Sequence, residues 1–210
     1  GFPAGAQTFM EIAGYAIFLL LVGKLGAEEL AATTIAININ NLAFMPMLGF
    51  GLGVSVLVGQ ALGEKDPARA SRATWSGLYF TLAYASVFSL MYVLMPDLFI
   101  MPFTAGDPEG FIEIRSHAVV LLRFIAAYTI FDTLNIVFSG TLKGAGDTRF
   151  IIKVMAAMTV FVLALPVAAA ISWFGAGLYA IWTILTVEAS LLGIVFLLRF
   201  SRGKWKGMRV

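Results

Sequence analysis

The chain puts a carboxylate where a carboxylate is costly. Asp132 lies near the middle of Phe124–Gly140, FIAAYTIFDTLNIVFSG, a stretch otherwise apolar enough to cross a membrane. Tyr128 precedes it by one helical turn, and Asn135 and Ser139 follow at helical spacing, so the four share one face. A carboxylate at the bilayer centre costs about 2.5–3.5 kcal/mol on insertion scales, so such a group faces protein or a water-filled cavity. Glu11, with Gln7 one turn before it, and Glu188 also fall inside apolar stretches. At a rise of about 1.5 Å per residue, Glu11, Asp132 and Glu188 lie roughly 12, 15 and 16 Å from the same end of the bundle. Two carboxylates sharing one cavity repel when both are ionised, and a proton or a cation between them relieves the repulsion. Acids so placed can couple a small cation to a change of shape. Glu188 leaves two readings open, an additional functional acid or a packing residue, because Ile184, Leu185, Leu191 and Leu192 around it are apolar. Thr34, Asn38 and Asn41 make a second polar stripe, which leaves two readings open, cavity lining, the one favoured, or hydrogen bonds to adjacent helices.

The elements that must position these groups are membrane helices. Six apolar spans of the length that crosses about 30 Å of hydrocarbon can be marked, at about 3–22, 30–62, 73–95, 111–142, 150–173 and 178–198. The second is too long for one straight crossing, and Pro46 with Gly49, Gly51 and Gly53 predicts a kink or an unwound turn inside it. Pro166 predicts a kink in the fifth. Gly5, Gly14, Gly77 and Gly193 are expected at close helix contacts. The fold class is therefore all-α and integral to the membrane, a six-helix bundle forming one domain over 1–210.

Composition agrees. Charged residues make up 12% of the 210 and mean hydropathy is +0.92, against about 25% charge in a soluble domain. A net charge of +2 without a basic patch interleaved with aromatics argues against nucleic acid. Cysteine is absent, and His117, the one histidine, argues against a histidine metal site or a serine–histidine triad. One face of the bundle gathers Lys65, Arg69, Arg72, Lys143, Arg149, Lys153, Arg199, Arg202, Lys204, Lys206 and Arg209; the other holds only Lys24, Arg115 and Arg123. The positive-inside rule makes the basic face cytoplasmic, with both termini of the segment on that side of a plasma (inner) membrane. The chain begins at Gly1 and enters an apolar segment at once, which is expected of a piece of a longer protein.

Three stretches carry a resemblance. Leu25-Gly26-Ala27 through Asn41 to Pro46, Gly49 and Val58-Gly59-Gln60-Ala61-Leu62-Gly63 is the first. Gly140-Thr141-Leu142-Lys143-Gly144-Ala145-Gly146-Asp147-Thr148 is the second, with Lys143 where arginine is usual, and Glu11 with Tyr128 and Asp132 is the third. Together they resemble the carboxy-terminal half of a multidrug and toxic-compound extrusion (MATE) transporter, over nearly the whole chain. The resemblance implies one six-helix lobe of a pseudo-twofold, twelve-helix transporter whose amino-terminal lobe is missing here. It implies antiport of organic, often cationic or apolar, compounds against Na⁺ or H⁺, with no cofactor beyond that coupling ion. Glu11, Asp132 and Tyr128 are the implied cation site, a Na⁺ site if coupling is to sodium. Asn38, Asn41, Gln7, Asn135 and Thr34 are expected along the substrate cavity. Partners would be lipid, small organic substrates and the missing lobe. A lipid-linked oligosaccharide flippase of the same superfamily would need a basic-lined cavity, a non-transporting scaffold would tolerate neutral replacements at all three acids, and an intramembrane protease would need a second matching aspartate motif.

Overall fold

The computed structural model describes the backbone of residues 2–103 and 111–208 and the side chains of residues 12–103 and 111–208. The helices are α1 (Phe2–Val22), α2 (Ala27–Gly63), α3 (Pro67–Leu94), the short α4 (Pro96–Ile100), α5 (Phe111–Gly144), α6 (Thr148–Ala157), α7 (Leu165–Phe174) and α8 (Leu178–Ser201). A π-helical stretch, Met158–Ala164, joins α6 to α7, so that Thr148–Phe174 forms one apolar rod of 27 residues. A 3-10 turn follows α4 at Met101–Phe103, and another, Lys204–Gly207, folds back after α8. No strand occurs among the described residues. Among them, α2, α3, α5, the α6–α7 rod and α8 are long and apolar enough to cross a membrane, and α1 contributes the apolar stretch Ile12–Val22. Large apolar side chains stand on the outside of the bundle; Phe80 is 71% exposed and Phe161 69%. Hydrocarbon or another protein surface, rather than water, is the solvent such a face fits.

The helix ends follow local chemistry. α3 begins at Pro67, six residues before its expected start at Ala73, because Asp66 accepts a hydrogen bond from the Arg69 N–H at 2.8 Å and Pro67 presets the first turn. Its first two turns are polar and belong to the helix but not to the apolar span. α2 runs unbroken through Pro46, which corrects the expected unwound turn. One proline removes a single N–H bond, and a membrane helix tolerates that loss where its neighbours hold the backbone. Near Pro166 the helix widens, and the π-helical stretch ends two residues before the ring.

α5 is the central post, packed against α2, α3 and α8, while α1 lies on α6 and the π-helical stretch. α2 and α5 meet backbone to backbone. A Cβ on Gly51 would lie 2.6 Å from Ile136 Cγ2, one on Gly140 would strike the Gly51 carbonyl, and one on Gly144 the Ser55 carbonyl. Gly193 of α8 abuts the Phe131 carbonyl, Gly77 of α3 abuts Val54, and Gly14 of α1 faces Thr159, as expected of close helix contacts; Gly5 lies outside the described side chains. Hydrogen bonds tie the helices further: Thr74 to Thr141 at 3.0 Å, Tyr92 hydroxyl to the Ile39 carbonyl at 3.1 Å, and Ser89 to the Ala126 carbonyl at 2.9 Å. Such bonds average about 0.6 kcal/mol in membrane proteins, so close packing is the larger cohesive contribution. One buried core surrounds Ile39, Tyr92, Leu121 and Trp182, and a second surrounds Val58, Phe138, Phe196 and Trp205.

Candidate functional site

Beside the α2–α5 seam the helices part to enclose a cavity of about 560 Å³, walled by α1, α2, α5, α8 and the π-helical stretch. One face of α5 contributes the longest run of its polar groups. Tyr128, Asp132, Asn135, Ser139 and Lys143 recur at three- and four-residue spacing and all line it. The Asn135 side-chain N–H donates to Asp132 Oδ1 at 3.3 Å, the bond that the i, i+3 relation allows. Tyr128 is 8% exposed, and its hydroxyl accepts from the Asn40 side chain of α2 at 3.5 Å, the long limit for a hydrogen bond. Apolar side chains, Phe18, Phe44 and Leu163 among them, make up much of the remaining wall.

α8 supplies Glu188, which is buried and lines the same cavity as Asp132. Its own helix offers it only apolar neighbours; the polar surroundings come from α5 across the gap. Gly193 lets α8 approach α5 closely enough for this, since any side chain there would meet the Phe131 backbone one residue before Asp132. Two carboxylates, an amide and a phenol thus open on one hollow in mid-helix. Their oxygens suit a small hard cation or a proton. Among the described residues no three acids or histidines gather as a metal cluster.

Asn41 lines the cavity, but Asn38 and Thr34 do not. Asn38 is exposed, and Thr34 gives its hydroxyl to the Leu30 carbonyl at 2.8 Å within its own helix. The face α2 turns inward is set by Ile37, Asn40, Phe44, Leu48 and Gly51, and Asn38 sits to one side of it. Asn40 was missing from the expected lining, as were Ser55, Lys143 and Thr159. Asn40 differs from Asn38 and Asn41 only in helical angle. Glu11 and Gln7 fall on α1, and their side chains lie outside the described residues.

Toward the basic end, a partly buried ion pair closes the bundle. Arg199 of α8 donates from Nε to Asp147 Oδ2 at 2.8 Å, and its guanidinium lies 4.6 Å over the Phe150 ring. The pair ties the α5–α6 turn to the last helix.

Long apolar helices around a largely apolar cavity that holds two acids at mid-helix mark an integral membrane protein. A family model described as MatE matches residues 3–170, and the chain belongs to that family. A probable multidrug resistance protein NorM from Brucella suis is 30% identical over 204 residues, covering 96% of this chain and 43% of the relative. The multidrug resistance protein NorM of Vibrio cholerae is 34% identical over 147 residues, 70% of this chain and 31% of its own length. Among solved structures, an outward-facing multidrug resistance MATE family transporter of the MOP superfamily superposes on all of the chain and 46% of its own, with a TM-score of 0.87 at 16% identity. The MATE transporter ClbM, solved in complex with Rb⁺, superposes on 97% of the chain and 44% of its own, with a TM-score of 0.78 at 16% identity. At such identities the likeness is one of fold. The chain spans less than half the length of these relatives.

Proposed function

We propose that the chain forms one lobe, the carboxy-terminal one, of a secondary antiporter that exports organic compounds in exchange for Na⁺ or H⁺. The observation that carries this reading is the convergence of Asp132, Asn135, Tyr128 and Glu188 on one largely apolar cavity at mid-helix depth. In this reading Asp132 is the primary ligand of the coupling ion, with Glu11 of α1 and the Tyr128 hydroxyl beside it. Asn135 holds the carboxylate in place, and Glu188 is the additional acid that a proton or the same cation would satisfy. The apolar wall, with Phe44, Met45 and Leu48, takes the organic substrate, and Asn40 and Asn41 orient it. A cation can drive export only through its difference in affinity between two states of the protein. Support for a cation also comes from the Rb⁺ complex of a relative with the same fold. The basic face of the lobe lies on the cytoplasmic side of the plasma membrane, and the second lobe supplies the facing half of the cleft.

The test is Asp132→Asn in the intact two-lobe transporter, reconstituted in vesicles with an imposed Na⁺ or proton gradient. Gradient-dependent efflux of a fluorescent organic cation is expected to fall at least tenfold while membrane insertion is unchanged. Undiminished efflux by this variant overturns the assignment.

A further inference from the structure

A second hollow lies outside the bundle at its basic end, remote in kind from the cavity between the acids. The first turns of α3 and the 3-10 turn after α8 enclose an open groove of about 510 Å³. Arg72 and Lys206 stand on it from the two sides, with the hydroxyls of Ser71 and Ser76 between. Neither cation forms an ion pair with an acid among the described residues. Trp75 and Tyr79 continue the groove along α3, one and two turns beyond Arg72 and about 1.5 Å deeper per residue. Both rings are exposed, Tyr79 by 67%, and Phe80 beside them by 71%. The groove therefore runs from two charges to an aromatic wall that passes into the apolar flank of the bundle.

The seat is built rather than frayed. Trp205 is fully buried, stacks on Phe200 at 5.1 Å and donates its indole N–H to the Phe200 carbonyl at 2.9 Å. Trp75 packs edge-on against both Phe138 and Phe200, at 6.0 and 5.9 Å. This cluster pins the chain after α8 against α3, and Lys206, 5.7 Å over the Trp205 ring, is held at the rim by it. Trp205 thereby fixes where the lysine stands relative to α3.

We propose that this groove binds the headgroup of an anionic phospholipid, with Arg72 and Lys206 on the phosphodiester and Trp75 and Tyr79 along the glycerol and upper acyl chains. The chemistry is complementary at each level. Arginine and lysine donate to phosphate oxygens, aromatic rings favour the interfacial layer, and the exposed flank beyond accepts hydrocarbon. A soluble phosphate would use only the first of these levels. The bound lipid would join α3 to the segment after α8, elements that the cavity does not use. Neither Arg72 nor Lys206 lines the cavity that holds the acids, so lipid binding here does not depend on which ion that cavity takes.

The experiment is native mass spectrometry of the purified full-length protein with phosphatidylglycerol and, separately, phosphatidylcholine of the same acyl chains. Selective retention of phosphatidylglycerol is expected, and Arg72→Gln with Lys206→Gln should weaken it about 25-fold, near fivefold per cation. Arg72→Lys with Lys206→Arg should retain most of the binding, which separates loss of charge from loss of fold. Lys65→Gln with Lys204→Gln removes the same charge from the same end and should leave the selectivity intact. An equal loss in that control pair would reduce the effect to diffuse charge and overturn the site. Glycerol phosphate competing as well as the intact lipid would equally overturn it, since the aromatic wall would then contribute nothing.

Discussion

The turns that end α2 and α5 have the same backbone. Each places a residue at positive φ after the helix, Lys65 at 60° and Gly146 at 82°. Each closes with the same two bonds, Lys65 N–H to the Leu62 carbonyl and Asp66 N–H to Ala61, against Gly146 N–H to Lys143 and Asp147 N–H to Leu142. Each has glycine three residues before an aspartate, Gly63 before Asp66 and Gly144 before Asp147. The side chains then diverge. Asp66 caps its own next helix, whereas Asp147 makes no cap and pairs with Arg199, 52 residues away. A Cβ on Gly63 would meet nothing within 4 Å, and one on Gly144 would strike the Ser55 backbone. One backbone motif thus serves as a local stop at the first turn and as a joint between three helices at the second.

This contrast can be broken at three levels. Gly144→Val should have the largest effect, because backbone cannot yield as a side-chain tip can. We expect a loss of at least about 3 kcal/mol or failure to insert, while Gly63→Val stays within about 1 kcal/mol; thermal melting in detergent compares them. Next, Asp147→Ala leaves the Arg199 guanidinium, 18% exposed, without its carboxylate. A cost of about 2–4 kcal/mol is expected, below the full range for a buried pair because the arginine is partly wet. Asp66→Ala should cost only about 1 kcal/mol, the worth of an N-cap. Equal losses at the two aspartates would erase the distinction between stop and joint. The smallest effect belongs to Lys65→Gly, which should gain up to about 1 kcal/mol by relieving a side chain in the left-handed region. A loss there would mean that the lysine side chain holds the turn.

The same division between local and distant causes governs what the sequence discloses. Helices and their apolar character were legible, because hydropathy over twenty residues is a strong signal. The start of α3 was not, since Arg69 and Arg72 look like loop to a hydropathy count and only the Asp66–Pro67 cap reveals the helix. The π-helical stretch at Met158–Ala164 carries no side-chain mark beyond a nearby proline. In the cavity, the α5 face was legible because Tyr128, Asp132, Asn135 and Ser139 repeat at helical spacing. Asn40 was hidden beside Asn38 and Asn41, since three polar residues within four positions give no rotational phase on their own. Glu188 was ambiguous for a further reason: its polar surroundings belong to α5, and a helix read alone cannot display its neighbour.

The glycine seam between α2 and α5 has a mechanical meaning. Where main chain rests on main chain, no rotamer can flex to absorb sliding or rotation, so the two helices form a single rigid keel. Any change in the hollow beside it has to come from the walls that lean on that keel, α1, the widened turn before Pro166, and α8.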